Sequence, residues 1–238
     1  MEIVGRTDCG RLRERNEDSV GFDEALGIAV VADGMGGLHH GHLASREAVA
    51  AVLDHLRRAR PPLNDAALEA ALAAANERVF VSSQSAASVM GTTAVVLAMS
   101  EGLGRIAHVG DSRAYLYHDG ELRQLTRDHS MVQEMVDRGL IGAEAARRSP
   151  SRNVITRALG LDAAFEPDVA EVALVPGDLL LLCSDGLWDM LDDGRISALL
   201  SDARRGRKGL GRCADDLVAA ANEAGGLDNI TVVLARAS

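Results

Sequence analysis

Residues 92–125, TTAVVLAMSEGLGRIAHVGDSRAYLYHDGELRQL, decide the fold of this chain. They contain three runs of β-branched, aromatic and apolar residues that are typical of strands: 92–99, 104–109 and 113–118. Asp119-Gly120 then joins the third run to a fourth, and this pair is typical of a type I′ hairpin turn. Because strands that are joined as hairpins pair antiparallel, the stretch predicts antiparallel sheets.

Outside this stretch, further strands alternate with helices. Apolar residues recur at helical spacing over 42–56, and Asn64 is a suitable cap for a second helix that runs to about residue 80. Additional helices are predicted at 130–138 and 210–224, and additional strands at 27–32, 168–174, 178–183 and 230–235. This order predicts an α+β architecture in which helices cover the faces of antiparallel sheets.

The composition is typical of a globular protein with a buried core. The chain has 238 residues, of which 47% are hydrophobic and 25% charged. Its formal net charge of −10 argues against nucleic acid as a partner. The three cysteines (Cys9, Cys183 and Cys213) are too few and too scattered for a disulfide framework, and Cys183, Cys213 and Trp188 are interpreted as core residues. We see no signal peptide and no bilayer-spanning apolar run, and we expect a cytoplasmic protein that does not bind membranes.

Acidic residues lie at the ends of the predicted strands: Asp33, Asp111 and Asp185 at their C-terminal ends, Asp228 before the last strand, and Glu17-Asp18 near the N-terminus. Any single Asp-Gly pair has a simpler explanation as a turn, and Asp119-Gly120 and Asp193-Gly194 are interpreted in this way. If the strand ends converge, however, the carboxylates repel one another and stay ionised only beside a cation. Carboxylate oxygens are hard ligands, which favours Mg²⁺ or Mn²⁺.

Six motifs carry a family resemblance: RNED (15–18), VADGMGG (31–37), GTTAVV (91–96), VGDSR (109–113), LLCSDGLWD (181–189) and DNITVV (228–233). In this order, over nearly the whole chain, they resemble the metal-dependent Ser/Thr protein phosphatases of type 2C in their compact bacterial form. The resemblance implies an αββα four-layer sandwich of two antiparallel sheets flanked by helix pairs. It also implies a single catalytic domain over residues 1–238, with a flap segment at about 138–157.

The resemblance implies a role for individual residues. It implies two Mn²⁺ or Mg²⁺ ions and a third, weaker one, held by Glu17, Asp18, Asp33, Gly34, Asp111, Asp185 and Asp228. Asp33 would bridge the first two ions, and Arg13 would bind the substrate phosphate, so that Arg13, Asp33 and Asp185 form the catalytic set. The implied reaction is hydrolysis of phosphoserine and phosphothreonine in proteins by a metal-bridging hydroxide. The implied partners are phosphorylated proteins, namely the substrates of a bacterial Ser/Thr kinase and the kinase itself, and we expect a monomer.

One position departs from the eukaryotic members of this family, which carry a histidine where this chain has Met35. Because a thioether has no proton to give, His39, His40 and His42 are alternative proton donors, although a polar loop that leads into the helix is the favoured explanation for them. The basic stretch 147–152 either contacts acidic or phosphorylated substrates or is a solvated loop.

Two other classes of protein remain as alternatives. Cys9 and Arg15 have the C-x₅-R spacing of a cysteine-dependent phosphatase, but Asp8 disfavours the thiolate that such an enzyme needs. The second alternative is an inactive phosphatase-like binding module. The retention of all six acidic residues argues against it.

Overall fold

The computed structural model describes residues 1–36, 40–85, 89–100 and 102–238. The strands of the described residues are β1 (Glu2–Asp8), β2 (Asp18–Asp23), β3 (Ile28–Gly36), β4 (Met90–Thr92), β5 (Ala94–Ser100), β6 (Leu103–Val109), β7 (Arg113–His118), β8 (Glu121–Gln124), β9 (Asp168–Ala173), β10 (Leu179–Cys183) and β11 (Ile230–Arg236). The helices are α1 (Gly41–Arg58), α2 (Asp65–Ser85), α3 (Met131–Asp137), α4 (Ala143–Arg147), α5 (Asp185–Trp188), α6 (Asp193–Arg204) and α7 (Leu210–Glu223).

The strands form two antiparallel sheets. One has the order β1-β11-β10-β7-β8, and the other has the order β2-β3-β5-β6-β9, with β4 paired to β3. The turn between β7 and β8 has positive φ at both Asp119 (47°) and Gly120 (92°), as a type I′ hairpin requires. The antiparallel pairing that the sequence predicts is therefore confirmed.

Three apolar cores explain why the central strands are apolar along their whole length. In β10, Leu179 and Leu181 pack with the helices on one face, while Leu180 and Leu182 pack into the core between the two sheets. Successive side chains of a strand point to opposite faces, so a strand that is covered on both sides needs an unbroken apolar run. Full burial of each leucine contributes roughly 1.5–3 kcal/mol.

The helices form the outer layers. The α1/α2 pair covers the six-stranded sheet, and α6 and α7 cover the five-stranded sheet together with α5. The predicted α+β class and the αββα four-layer sandwich are thus confirmed. Within the described ranges, no helix has both the length and the apolar character that crossing a membrane requires.

Two helix starts test the sequence predictions. Asn64 does cap α2, since its Oδ1 accepts a hydrogen bond from the Ala67 amide at 3.0 Å. The interpretation of Asp193-Gly194 as a turn is wrong, because these residues form the first turn of α6. Asp192 is the N-cap of this helix, because its side chain accepts a hydrogen bond from the Arg195 amide.

Candidate active site

The acidic residues meet because both sheets present strand ends at the same end of the sandwich. Asp18 begins β2 and lies directly opposite Asp33 in the antiparallel register of β2 and β3. Asp185 follows β10, and Asp228 precedes β11, its neighbour in the other sheet. Asp111 lies in the connection between β6 and β7, where the chain crosses from one sheet to the other.

A cavity of about 500 Å³ lies at this end of the sandwich. Seven of the eight residues predicted for the site line it: Arg13, Glu17, Asp33, Gly34, Asp111, Asp185 and Asp228. The eighth, Asp18, is only 7% exposed and lies beneath the cavity surface. There its Oδ2 accepts a hydrogen bond from Ser184 Oγ at 2.7 Å. The structure therefore brings all the predicted residues together, while their individual roles stay predictions.

Burial perturbs the carboxyl groups. It raises the pKa of Asp18 and of Asp185 to about 7 and that of Asp111 to about 8, and repulsion between neighbouring carboxylates adds to the effect. The pKa of Asp33 is raised well above its usual range for the same reasons. The Oδ1 atoms of Asp18 and Asp185 are buried and accept no hydrogen bond from the described residues. Buried carboxylates with free oxygens fit a divalent cation, because an ion would supply both the missing partner and the opposite charge.

Gly34 follows Asp33 at a position where the backbone is crowded. A Cβ atom at this position would lie 2.1 Å from the Gly41 carbonyl oxygen and 2.6 Å from that of Glu17. Only glycine fits, and its amide donates to the Glu17 carbonyl at 3.2 Å. This close approach holds the Glu17 segment beside Asp33.

Asn229, for which the sequence analysis gave no role, fastens the N-terminal loop to the site. Its Oδ1 accepts a hydrogen bond from the Glu17 amide at 2.8 Å, and its Nδ2 donates to the carbonyls of Cys9 and Arg15, each at 2.9 Å. These three bonds fix the loop that carries Arg13. Contacts of this kind join segments more than 200 residues apart, and the sequence alone does not reveal them.

Arg13 lies at the rim of the cavity with its side chain 55% exposed. Its Nη2 donates to Asp228 Oδ2 at 2.5 Å, and this hydrogen bond raises the pKa of the guanidinium. The arginine is permanently charged and sits where an anion entering the cavity would meet it.

The predicted flap segment lies against the other side of the cavity, where Asn153 and Ile155 line it. Arg152 does not extend toward solvent, since its guanidinium donates to both carboxylate oxygens of Asp189 at 2.9 Å. Arg148 pairs with Glu144, and the side chain of Arg147 lies outside the described part of the chain. Arg148 and Arg152 are thus paired with carboxylates of this chain, Arg148 at an exposed position and Arg152 at a partly buried one.

Trp188 lies between the core and the site. Cys183 and Cys213 are buried as predicted, but Trp188 is only partly buried. Its Nε1 donates to the Asp111 carbonyl at 3.1 Å, and Arg113 stacks 3.7 Å above its ring. The interpretation of Trp188 as a core residue missed this contact with the site.

The geometry does not support His40 or His42 as the proton donor, or Cys9 as the nucleophile. His40 and His42 lie at the start of α1 and do not line the cavity, and His39 lies outside the described residues. Cys9 also does not line the cavity, and its Sγ donates to the Arg13 carbonyl at 3.1 Å. A phosphate-binding loop around Cys9 is therefore disfavoured.

A second group of titratable side chains, His108, His129 and Asp168, has potential ligand atoms within 4.8 Å of one another. The two imidazole rings are stacked with their planes inclined by 20°, so their lone pairs lie in nearly parallel planes and do not converge on one ion. Arg157 Nη1 also lies 3.5 Å from His129 Nε2 and would repel a cation. This geometry favours a structural role for the cluster over a metal site.

Comparisons with known proteins agree with the geometry of the cavity. The profile of the family described as protein phosphatase 2C matches residues 11–205. Serine/threonine phosphatase stp of Listeria monocytogenes serotype 4b (strain F2365) is 39% identical over 243 residues, which cover 98% of this chain and 95% of the relative.

Two solved structures are similar to this chain over nearly its whole length. The crystal structure of the Mycobacterium tuberculosis serine/threonine phosphatase PstP/Ppp has a TM-score of 0.90 at 37% identity and covers 99% of this chain and 97% of its own. The catalytic domain of the serine/threonine protein phosphatase PstP, in complex with 2 manganese ions, has a TM-score of 0.88 at 34% identity and covers 99% and 97%. With the profile match and the identity of the relatives, this similarity establishes that the chain belongs to the protein phosphatase 2C family.

Proposed function

We propose that this chain is a metal-dependent phosphatase that hydrolyses phosphoserine and phosphothreonine in proteins, at the cavity where the two sheets end. One observation carries the proposal: carboxylates from five segments of the chain line this cavity. One buried oxygen of Asp185, and one of Asp18 opposite Asp33, lack a hydrogen-bond partner among the described residues. The manganese ions of the similar PstP structure support a divalent cation as the missing partner.

The residues that would hold the cations are the predicted ones. Asp33 would lie between two Mn²⁺ or Mg²⁺ ions, with Asp185 and Asp228 on the first, and with the Gly34 carbonyl on the second. Glu17 and Asp18 would hold the second ion directly or through water, and Asp111 with Asp185 would hold a third, weaker one. Bound cations supply Lewis acidity, which lowers the pKa of water and offsets the charge of the phosphoryl oxygens.

The side chains around the carboxylates bind and orient the substrate. Arg13 offers a planar pair of N–H groups to the phosphate oxygens, in the geometry that suits bidentate binding. Asn229 keeps the Arg13 loop in place through its three hydrogen bonds. Met35 lines the cavity but cannot give the proton that the serine or threonine leaving group needs.

The substrates in this proposal are phosphorylated proteins, including those of a bacterial Ser/Thr kinase and the kinase itself. The chain would act in the cytoplasm as a monomer and as one catalytic domain, with the flap beside the cavity. The net charge of −10 does not favour the approach of a phosphate, so cations in the cavity and Arg13 at its rim would supply the local attraction.

A phosphatase assay tests the proposal. Peptides that carry phosphoserine, phosphothreonine or phosphotyrosine are incubated with the protein in EDTA and after addition of Mn²⁺ or Mg²⁺. We expect release of phosphate from the first two peptides only with added metal, and at least a 100-fold loss of rate in Asp185→Asn. Asp119→Asn is the matched control, because Asp119 lies at an exposed hairpin turn.

Two outcomes would contradict different parts of the proposal. Hydrolysis that persists in EDTA would refute the dependence on metal. A wild-type Mn²⁺-dependent rate in Asp185→Asn would refute the assignment of the site.

A further inference from the structure

The geometry points to His129 as a positioning residue for the proposed phosphatase reaction. It holds residues 110–113, the Asp111 turn, and links this turn to residues 153–157, the rim segment on the other side of the cavity. The inference rests on the proposed function, because the position of Asp111 matters for the reaction only if this cavity is catalytic.

The Asp111 turn needs support from outside. Gly110 has φ 99°, and a Cβ atom here would lie 2.5 Å from Thr93 Cγ2, so the chain reverses tightly between the two sheets. Both backbone polar groups of Gly110 bond to His129: its amide donates to Nδ1 at 3.2 Å, and its carbonyl accepts from the His129 amide at 3.0 Å. A single residue therefore satisfies the peptide groups directly before Asp111.

The His129 ring is held in one orientation. Because Nδ1 accepts a hydrogen bond, the neutral ring carries its proton on Nε2, which lies 3.5 Å from Asp168 Oδ2. Arg157 pairs with the same carboxylate, and the His108 ring stacks on the His129 ring. Burial lowers the pKa of His129, which keeps the ring neutral and Nδ1 free to accept. The acceptor is thus fixed toward Gly110.

His129 also bonds to the rim segment. Its carbonyl accepts a hydrogen bond from the Thr156 amide at 2.8 Å, and the Met131 amide donates to the Val154 carbonyl at 2.8 Å. These two bonds form a short antiparallel pairing beside Asn153 and Ile155, the residues that line the cavity. One residue is therefore bonded to both walls of the site.

Neighbouring contacts hold the far end of the Asp111 turn. Asp128 accepts hydrogen bonds from Arg113 at 2.6 and 2.9 Å, and Trp188 donates to the Asp111 carbonyl. Loss of the His129 side chain would consequently free the Gly110 end of the turn without releasing the whole of it. The expected result is a folded protein with a displaced Asp111.

Two substitutions separate the hydrogen-bond acceptor from the bulk of the ring. In His129→Asn the Oδ1 atom stands where Nδ1 stood and can still accept from Gly110. In His129→Gln the polar group reaches toward Asp168 instead, and the acceptor beside Gly110 is lost. His118→Gln, at a half-exposed position on β7, is the control for replacing a histidine.

The first measurement is amide hydrogen exchange of the metal-free proteins, followed by NMR. We expect the Gly110 amide to exchange at least about ten-fold faster in His129→Gln than in wild type and to remain protected in His129→Asn. The Thr156 amide donates to the backbone carbonyl of residue 129 and should stay protected in both variants. The second measurement is steady-state kinetics with saturating Mn²⁺. We expect kcat to fall about ten-fold or more in His129→Gln with KM within about two-fold, and to recover most of its value in His129→Asn.

Each contrary result refutes a specific part of the inference. Equal losses of kcat in the two variants would show that the hydrogen-bond acceptor beside Gly110 does not set the rate. Unchanged exchange of the Gly110 amide in both variants would show that the His129 side chain does not hold the turn. Faster exchange of the Thr156 amide in either variant would contradict the backbone bond that links residue 129 to the rim segment. A wild-type protein without phosphatase activity would refute the proposed function, while the exchange at Gly110 would still decide whether His129 holds the turn.

Discussion

Replacement of Asp18 by asparagine is expected to stabilise the metal-free protein at alkaline pH. Asp18 is 7% exposed, its Oδ1 has no partner among the described residues, and its Oδ2 accepts from Ser184. An asparagine oxygen can still accept from Ser184, while the amide nitrogen carries no charge and can donate to a neighbouring carboxylate. The substitution therefore removes the repulsion and keeps the shape.

The size of this stabilisation follows from the pKa of Asp18, which burial raises from 3.8 to about 7. At a pH between 3.8 and about 7, Asp18 keeps its proton in the folded protein and loses it in the unfolded chain. The free energy of unfolding therefore falls as the pH rises through this window, and it is lowest above pH 7. The whole interval corresponds to about 4 kcal/mol, at about 1.4 kcal/mol per pKa unit. Because Asp18 and its neighbours titrate together, we expect a gain of about 2–4 kcal/mol at pH 8 and less than half of it at pH 5.

Thermal denaturation in EDTA at pH 5 and pH 8 measures the effect. For a chain of this length the gain corresponds to a rise in Tm of about 5–15 °C at pH 8. Saturating Mn²⁺ should reverse the order, because the wild-type carboxylate then has a cation beside it. Asp23→Asn is the control, and it should lower Tm where Asp18→Asn raises it. The hydrogen bond from Arg57 lowers the pKa of Asp23, so the charged form of Asp23 stabilises the fold. An unchanged or lower Tm for Asp18→Asn at pH 8 in EDTA would refute the reasoning.

Two further predictions concern the rim of the cavity and the ion pair between the half-exposed His118 and the buried Asp178. Arg13→Ala should raise KM for a phosphopeptide about ten-fold or more and change Tm little, because the side chain is 55% exposed; steady-state kinetics that give a wild-type KM would exclude Arg13 as the phosphate ligand. In the folded protein, hydrogen bonding to Asp178 raises the pKa of His118 above its ordinary 6.5. The pair should thus stabilise the fold below pH 6.5 and lose this effect as the pH rises through the raised pKa. If the Tm difference between wild type and His118→Gln is the same at pH 5.5 and at pH 9, this prediction is wrong.

The elements with a strong apolar pattern could be predicted from the sequence, and those that depend on a partner could not. The leucine run of β10 was predicted because both of its faces meet apolar cores. The strand β1, EIVGRTD, has no such pattern, and its pairing with β11 makes it a strand. The helix α6 was missed because Asp193-Gly194 resembles a turn. The hydrogen bond that the Arg195 amide donates to the Asp192 side chain decides between the two structures.

The same distinction applies to the candidate site. Asp33, Asp111, Asp185 and Asp228 were predicted because each follows or precedes an apolar run, and antiparallel sheets bring such ends together. The roles of Glu17 and Asp18 in the site were implied by the family resemblance. Asn229, Ser184 and His129 were not predicted, because each acts through hydrogen bonds to segments far away in the chain. Asparagine, serine and histidine are common in loops, so their identity alone does not reveal these contacts.

The position of β11 has a consequence for when the protein becomes active. This strand is the last in the order of the described strands, yet it lies inside its sheet, between the edge strand β1 and β10. A ribosome must therefore translate as far as residue 236 before β1 can complete its pairing and before Arg13 reaches Asp228. Incomplete chains on the ribosome therefore cannot assemble the site that removes phosphate. The site forms only after β11 has been synthesised.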